Sequence, residues 1–509
     1  MTNPVSIFLK ARAIFAFLTM VCISIASPGW TGNLEVAVSR PPVSLDPHKI
    51  ADPAAWAYLL PCYHRLVAYK EQTTEPVPSL AATWRISDDG RLYTFVLKEG
   101  LTFSDGRPVD AEAVRWSFER LLNKNQAILP CGSVLSGFQV MGPNTIRFIL
   151  RQPCAEFIHA LASPNSSIVS PGLADRPPDY LDRHTLGSGQ YMIKEWLPDQ
   201  PVTMETRPDL VGRPRIDRAT FYFESDPRNL MKMFCQGQIQ MTSGFPSDIW
   251  ELLKDEYQFT MATVPTFTSC LLVLNVRRPW LSHPEVRQSL SLAIDYQGLI
   301  DQVKNGAAQR MFGPLPMGMA GRDADLRRFN YQPDAAREIL AKAERPKGPI
   351  TLIWAQGPAD QPLIAKMIQA NLQAVGISLQ LRPLSDKQFK EALAGGNFDF
   401  ALSNWRSESA APEYVLTHFF GSPETATETN PAYYIDPEVD RLLAEANAIA
   451  DKKKRTPITQ KIQKIVVEAC PYIYLFQPHL QVWFHRSVHG FEPNPIWPEA
   501  VPLETMYIK

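Results

Sequence analysis

The sequence predicts an α/β protein of more than one domain. Two observations carry the prediction: strand and helix patterns alternate from Ile350 to Trp405, and the 509-residue chain is too long for one ordinary core. The composition, 45% hydrophobic and 20% charged, is that of a globular protein. Basic and acidic residues number 51 and 52. That balance gives no basic stripe for nucleic acid and no charged tail.

In chain order, residues 1–27 come first. Lys10 and Arg12 precede the uncharged run AIFAFLTMVCISIAS, which closes on small residues. This is the pattern of a cleaved secretory signal peptide, with the cut near Ala26 or Ser27. The apolar run is about 15 residues, shorter than the roughly 20 that span a bilayer. Val21 precedes Cys22 where lipid modification needs a small residue, so a lipoprotein is not expected. The expected location is the periplasm, with a soluble mature chain.

Leu34–Ser39 alternates as an opening strand, and Tyr93–Leu97 is a second. PVDAEAVRWSFERLL reads as a helix, with Asp110 at the N-cap and Ala113, Val114, Phe118, Leu121 and Leu122 at helical spacing. FQVMGPNTIRFIL reads as a hairpin turning at Gly142-Pro143-Asn144. A hairpin centred there pairs residues whose numbers sum to 285, as 131 and 154 do, so Cys131 and Cys154 are expected to form a disulfide. CLLVLNVRRP is a buried strand, and HPEVRQSLSLAIDYQGLIDQV a helix. From Ile350, ITLIWA, ISLQLRPL and FDFALSNW are strands separated by two helices, the first closed by Gly376. Such β-α-β-α-β units make parallel sheets. Ligands in these sheets sit beyond the carboxyl ends of the strands, which singles out Asn404, Trp405, Arg406 and Glu408.

Catalytic motifs are missing. GSGQY is not a nucleophile elbow, and the chain has no phosphate loop, dinucleotide fingerprint or CxxC pair. His485 and His489 fall in an alternating, β-rich stretch and are expected on one strand face rather than on a metal. Neither an enzyme, a cofactor nor a metal site is expected.

The block VPSLAATWRISDDGRLYTFVLKEGLTFSDGRPVDAEAVRWSFERLL, Val77 to Leu122, resembles the signature of the family 5 extracellular solute-binding proteins, the peptide- and nickel-type receptors of ABC importers. The resemblance continues through SLDPHK, LGSGQYMIKEW, YQPDAAREILAKA, YYIDPEVDRLLAEA and ACPYIYLFQP, in the family's order. It implies a two-lobed periplasmic-binding-protein fold (type II, cluster C) with an extra α+β subdomain in the first lobe. The implied division is residues 28–66, 186–269 and 480–509 for lobe I, 67–185 for the subdomain, and 270–479 for lobe II. Connecting strands are implied near Cys270–Asn275 and Tyr474–Pro478.

The implied role is a monomeric receptor that closes on a short peptide or related zwitterionic solute and hands it to a membrane permease driven by separate ATPase subunits. A metal chelate, an opine or a sugar-phosphate, or a sensing role, is the alternative. The resemblance places the ligand between a segment at Ala51 and Asp52 and the strand end at Asn404, Trp405 and Arg406. Glu408 stands where the family's peptide binders carry an Asp that pairs with the ligand's ammonium. It keeps the charge but is longer by one methylene, roughly 1.5 Å. Arg406, two residues earlier on an extended strand, would share its face and could neutralise it or bind a ligand carboxylate.

Overall fold

A computed structural model describes residues 32–509 apart from 50–52, 71, 126–128, 130, 211, 246–248, 250–252, 254–257, 328, 344–347 and 423–429. The expected leader lies outside the described residues, as do Ala51 and Asp52. Among the described residues no helix is long and apolar enough to cross a membrane.

The chain is mixed α/β, organised on two large sheets that share one strand, Tyr472–His485. The first sheet holds Tyr191–Met192, Val202–Thr206, Arg218–Phe223, Asn33–Val38 and Met241–Thr242, and Phe259–Pro265 pairs the far half of the shared strand. The second holds Leu379–Leu384, Ile350–Ala355, Phe400–Arg406 and Thr268–Leu274, which pairs the near half, as does Ala308–Arg310. The chain therefore passes between sheets at Thr266–Phe267 and again around Pro478. Cys270–Asn275 itself lies within the second sheet and just beyond it, past the first crossing.

The β-α-β-α-β unit forms as its pattern requires. Ile350–Ala355 pairs in parallel with both Leu379–Leu384 and Phe400–Arg406. The helix Gln361–Ala374 buries Ile364, Ala365, Ile368 and Leu372, and Gly376 follows at φ +85°, where a left-handed residue ends a helix without strain. Ser385 and Gln388 cap the helix Asp386–Gly395 reciprocally.

One expected helix is two. Pro284–Leu292 ends near Ala293, and Tyr296–Lys304 starts anew because the Asp295 carboxylate accepts the Gly298 N–H at 2.9 Å. An internal Asp that caps a second helix is invisible to apolar spacing alone.

A smaller antiparallel sheet orders Ala81–Ile86, Leu92–Leu97, Thr145–Leu150 and Leu135–Gly142. Its inner face is aromatic: Phe148 meets Phe118 at 4.9 Å and Phe138 at 5.1 Å, both edge-on. Phe118 comes from the helix Ala111–Asn125, which Asp110 caps by accepting the Ala113 N–H. A bulge between Leu135 and Gly137 shifts the hairpin register by one. That shift sets Leu135 opposite Leu150 and, beyond them, Cys131 beside Cys154, which are disulfide-bonded with Cα atoms 6.6 Å apart.

Candidate functional site

The SLDPHK stretch is held by a network of buried charges. Asp46 is 1% exposed and takes a two-pronged bond from Arg120, at 2.9 Å to Oδ1 and 2.6 Å to Oδ2. Burial alone would raise its carboxyl, but the Arg120 bond and charge win and hold it near 2. His48 hydrogen-bonds through Nε2 to the Ser167 carbonyl and through Nδ1 to Arg120. Burial, then the Arg120 charge, lowers its imidazole to about 4, so it is neutral, donating at Nε2 and accepting at Nδ1. Lys49 and the Ser44 hydroxyl both bond Asp182. The stretch just before residues 50–52 is thus fixed to the helix Ala111–Asn125.

The opposing feature is the end of the strand Phe400–Arg406. Asn404 is exposed, opposite Cys270 in register. Trp405 lies on the other face and is half-buried. Its ring stacks on His418 at 4.6 Å and on Tyr414 at 6.1 Å, and Phe419 meets it edge-on. These partners sit on the helix Pro412–Phe420, which starts where Pro412 takes the first helical position. Burial pushes the His418 imidazole down to about 4, so the stack is of neutral rings.

Arg406 does not pair with Glu408. Its guanidinium bonds Glu499 at 2.8 Å and the Ile496 carbonyl at 2.8 Å, and lies 5.6 Å from the Trp56 ring. The shared face expected from strand alternation is lost because the strand ends: the Ser407 N–H turns to the Phe267 carbonyl, and the Ser407 hydroxyl bonds the Ser409 carbonyl at 2.6 Å. Glu408 therefore has no ion pair among the described residues. It is exposed, yet the surrounding protein desolvates it and pushes its carboxyl up, with the Arg406 charge pulling back.

Facing this strand end are residues that the sequence did not single out. Trp497 packs on Tyr69 at 5.3 Å and edge-on to Trp56 at 6.4 Å, with Arg65 above it at 5.7 Å. The Tyr69 hydroxyl bonds His159 Nδ1 at 3.2 Å and faces the Ala410 backbone. The indole N–H groups of Trp56 and Trp497 are buried without a hydrogen-bond partner among the described residues, as are Arg406 Nε and Glu499 Oε2. Nothing in the spacing of Pro495-Ile496-Trp497-Pro498-Glu499 points to this place, because its partners are distant in sequence. Glycine explains another part: a side chain at Gly187 or Gly189 would strike the Cys62 or Pro61 carbonyl, so GSG is a close-packing device.

Residues 75–427 match the family described as bacterial extracellular solute-binding proteins, family 5. The chain is 31% identical over 485 residues to the probable D,D-dipeptide-binding periplasmic protein of Escherichia coli (strain K12), covering 93% of this chain and 94% of that one. It is 26% identical to the probable di/tripeptide-binding protein 5 of Pseudomonas aeruginosa (strain UCBPP-PA14), covering 94% and 96%. Among solved structures, HbpA2 from Haemophilus parasuis superposes with a TM-score of 0.85 at 25% identity, over 94% of this chain and all of that one.

Proposed function

The chain belongs to the family 5 bacterial extracellular solute-binding proteins, and on that premise we propose that it captures a short peptide with a free amino group between two closing lobes. The observation that carries the reading is the near full-length likeness to a D,D-dipeptide-binding protein, joined to an acidic Glu408 that has no ion pair among the described residues and feels Arg406 only at a distance. The lobes are built on the two large sheets, with residues 28–66, 186–269 and 480–509 forming one, 67–185 its subdomain and 270–479 the other.

The ligand backbone extends along the strand end at Asn404, Trp405 and Arg406 and the segment at Ala51 and Asp52. It borrows main-chain hydrogen bonds as an added strand does. Trp405, already braced by His418 and Tyr414, covers apolar ligand surface. Glu408 pairs with the ligand's ammonium, which offsets the cost of desolvating its charge. Arg406, committed to Glu499, fixes the strand end in place. Closure follows because these contacts form together only when the lobes meet. After cleavage of residues 1–27, the monomer works in the periplasm. It delivers its ligand to an ABC permease whose ATPase subunits are separate chains, and it has no catalytic role of its own.

Titration calorimetry with D-alanyl-D-alanine tests this reading. Binding is expected in the wild type. Glu408→Gln should weaken it at least tenfold, about 1.4 kcal/mol. Acetylating the ligand's amino group should cost as much. Unchanged affinity in both experiments removes Glu408 from the site. If L,L-, D,D- and tripeptides all give no heat, the peptide reading is wrong.

A further inference from the structure

The turn Ser407–Ala411 and the helix Pro412–Phe420, which follow the second sheet's ligand edge, meet the small antiparallel sheet's unit along a seam. Glu156 lies in that seam. It follows Cys154, heads the short helix Phe157–Ala160, and is 9% exposed. Its Oε1 is buried with no hydrogen-bond partner among the described residues.

The groups facing Glu156 can be named element by element. From the turn comes the Ser409 hydroxyl, whose oxygen already accepts the Ala411 N–H at 3.2 Å and whose hydrogen is left to donate. From the helix comes Glu413, 1% exposed, with Oε1 on Arg455 Nε at 2.7 Å and Oε2 buried without a partner among the described residues. Tyr414 on the same helix is close enough to feel both Glu156 and Glu408. The Tyr69 hydroxyl approaches from the strand Val67–Tyr69. On Glu156's own side are the Cys131–Cys154 disulfide, which carries no charge, and His159, which burial keeps neutral. Arg455 and Lys452 both reach His159, and Arg455 is spent on Glu413 and on the Ile449 and Ala450 carbonyls.

Of the two buried carboxyls on opposite sides of the seam, Glu413 therefore holds the Arg455 cation, and Glu156 has no ion pair among the described residues. With both ionised, a negative charge would be left buried and unanswered, which is strongly unfavourable. A proton removes the cost. We propose that closing the lobes puts a proton on Glu156, so that ligand capture and proton uptake are one coupled event. When the seam opens, Ser409, Glu413 and Tyr414 withdraw, water reaches the carboxyl, and the proton leaves.

The direction of the effect follows from linkage. Burial, offset in part by Ser409 and reinforced by the Glu413 charge, raises the closed-form carboxyl from 4.5 to about 8. A group raised in the closed form favours closure fully below its open-form value. It withdraws that support as pH rises from near 4.5 through about 8. Affinity should therefore fall with rising pH, opposite to what deprotonating a ligand-binding carboxylate at Glu408 would give.

The test uses D-alanyl-D-alanine as probe and so rests on the peptide reading. Between pH 5.5 and 7.5 the dipeptide's amino group stays protonated, and wild-type affinity should drop by about tenfold or more. At pH 6.5, calorimetry in buffers of different ionisation enthalpy should show uptake of about one proton per ligand bound. Glu156→Gln, which mimics the protonated acid, should bind at the wild type's low-pH affinity throughout and take up no proton. Uptake near zero in the wild type, or equal in the two proteins, overturns the proposal. If the dipeptide gives no heat, the ligand reading has failed instead. The two proteins are then compared by small-angle scattering from pH 5.5 to 8.5. Compaction at low pH in the wild type alone supports the seam proton, and a flat profile in both overturns it.

Discussion

Asp46 and Glu156 are both buried carboxyls, and their surroundings treat them in opposite ways. Asp46 receives both prongs of Arg120, the His48 N–H and a more distant Lys124, and burial cannot keep it protonated. Glu156 receives one facing hydroxyl and a like charge, and burial prevails. The difference is one of permanence. The Asp46 network ties residues 44–49 to the helix Ala111–Asn125, and the proposed closure would leave it intact. The Glu156 contacts cross a seam, and a fully paired charge there would resist opening. Pairing suits a fixture; a lone carboxyl suits a joint.

One kind of substitution, carboxylate to amide, breaks the comparison most sharply. Asp46→Asn leaves Arg120 buried without its partner and should lower unfolding free energy by about 3–5 kcal/mol, read from urea denaturation at pH 7. Glu156→Gln should do the reverse. Because the wild-type group binds its proton more tightly folded than unfolded, the stability it lends is full below 4.5 and is lost as pH rises toward 8. The amide escapes that loss and should be more stable than wild type at pH 7 by on the order of 1–3 kcal/mol, with the two proteins equal near pH 4.5. A destabilised Glu156→Gln would mean that the carboxyl is ionised and paired, like Asp46.

Acid sharpens the same contrast. Burial lowers His48, His64 and His418 to about 4 and His159 to about 3. Neutral in the folded chain, these rings protonate on unfolding once pH drops below 6.5. Their contribution is present above 6.5 and lost as pH falls toward 4, so Tm should decline by on the order of 5 °C across that window. Asp46 should add to the loss only below its ordinary value of 3.8, toward 2. The smallest effect is expected at the exposed Arg441, bonded to Glu438 and Glu445 on one helix face. Arg441→Ala should leave Tm within error of wild type, because solvent screens such pairs.

What the sequence disclosed follows the range of the interactions. Local periodicity was enough for Ile350–Ala355, Gln361–Ala374 and Phe400–Arg406, because each buries one face by its own spacing. The Cys131–Cys154 pairing was legible through hairpin arithmetic, although a bulge was needed to bring the register to it. The break at Asp295 was not, since one capping carboxylate outweighs an uninterrupted apolar pattern. The site was half legible. Its strand end could be placed by sheet logic and by resemblance, but the Arg406–Glu499 pair joins positions 93 apart, and Glu156 meets Ser409 across a still longer gap. Spacing says nothing about such encounters. Arg406 shows the cost: strand alternation put it on the face of Glu408, free for that carboxylate or for a ligand's, and a distant C-terminal segment claimed it.

The strand shared by the two sheets also constrains how the molecule can come into being. Tyr472–His485 lies between Thr268–Leu274 and Ala308–Arg310 in one sheet, and between Met241–Thr242 and Phe259–Pro265 in the other. Its neighbours are all made earlier, yet none of them can close ranks until it arrives. Such late, long-range pairings are slow to form. Neither sheet can therefore be completed before residues 472–485 are made. The polypeptide stays open until then, which suits the export proposed for it.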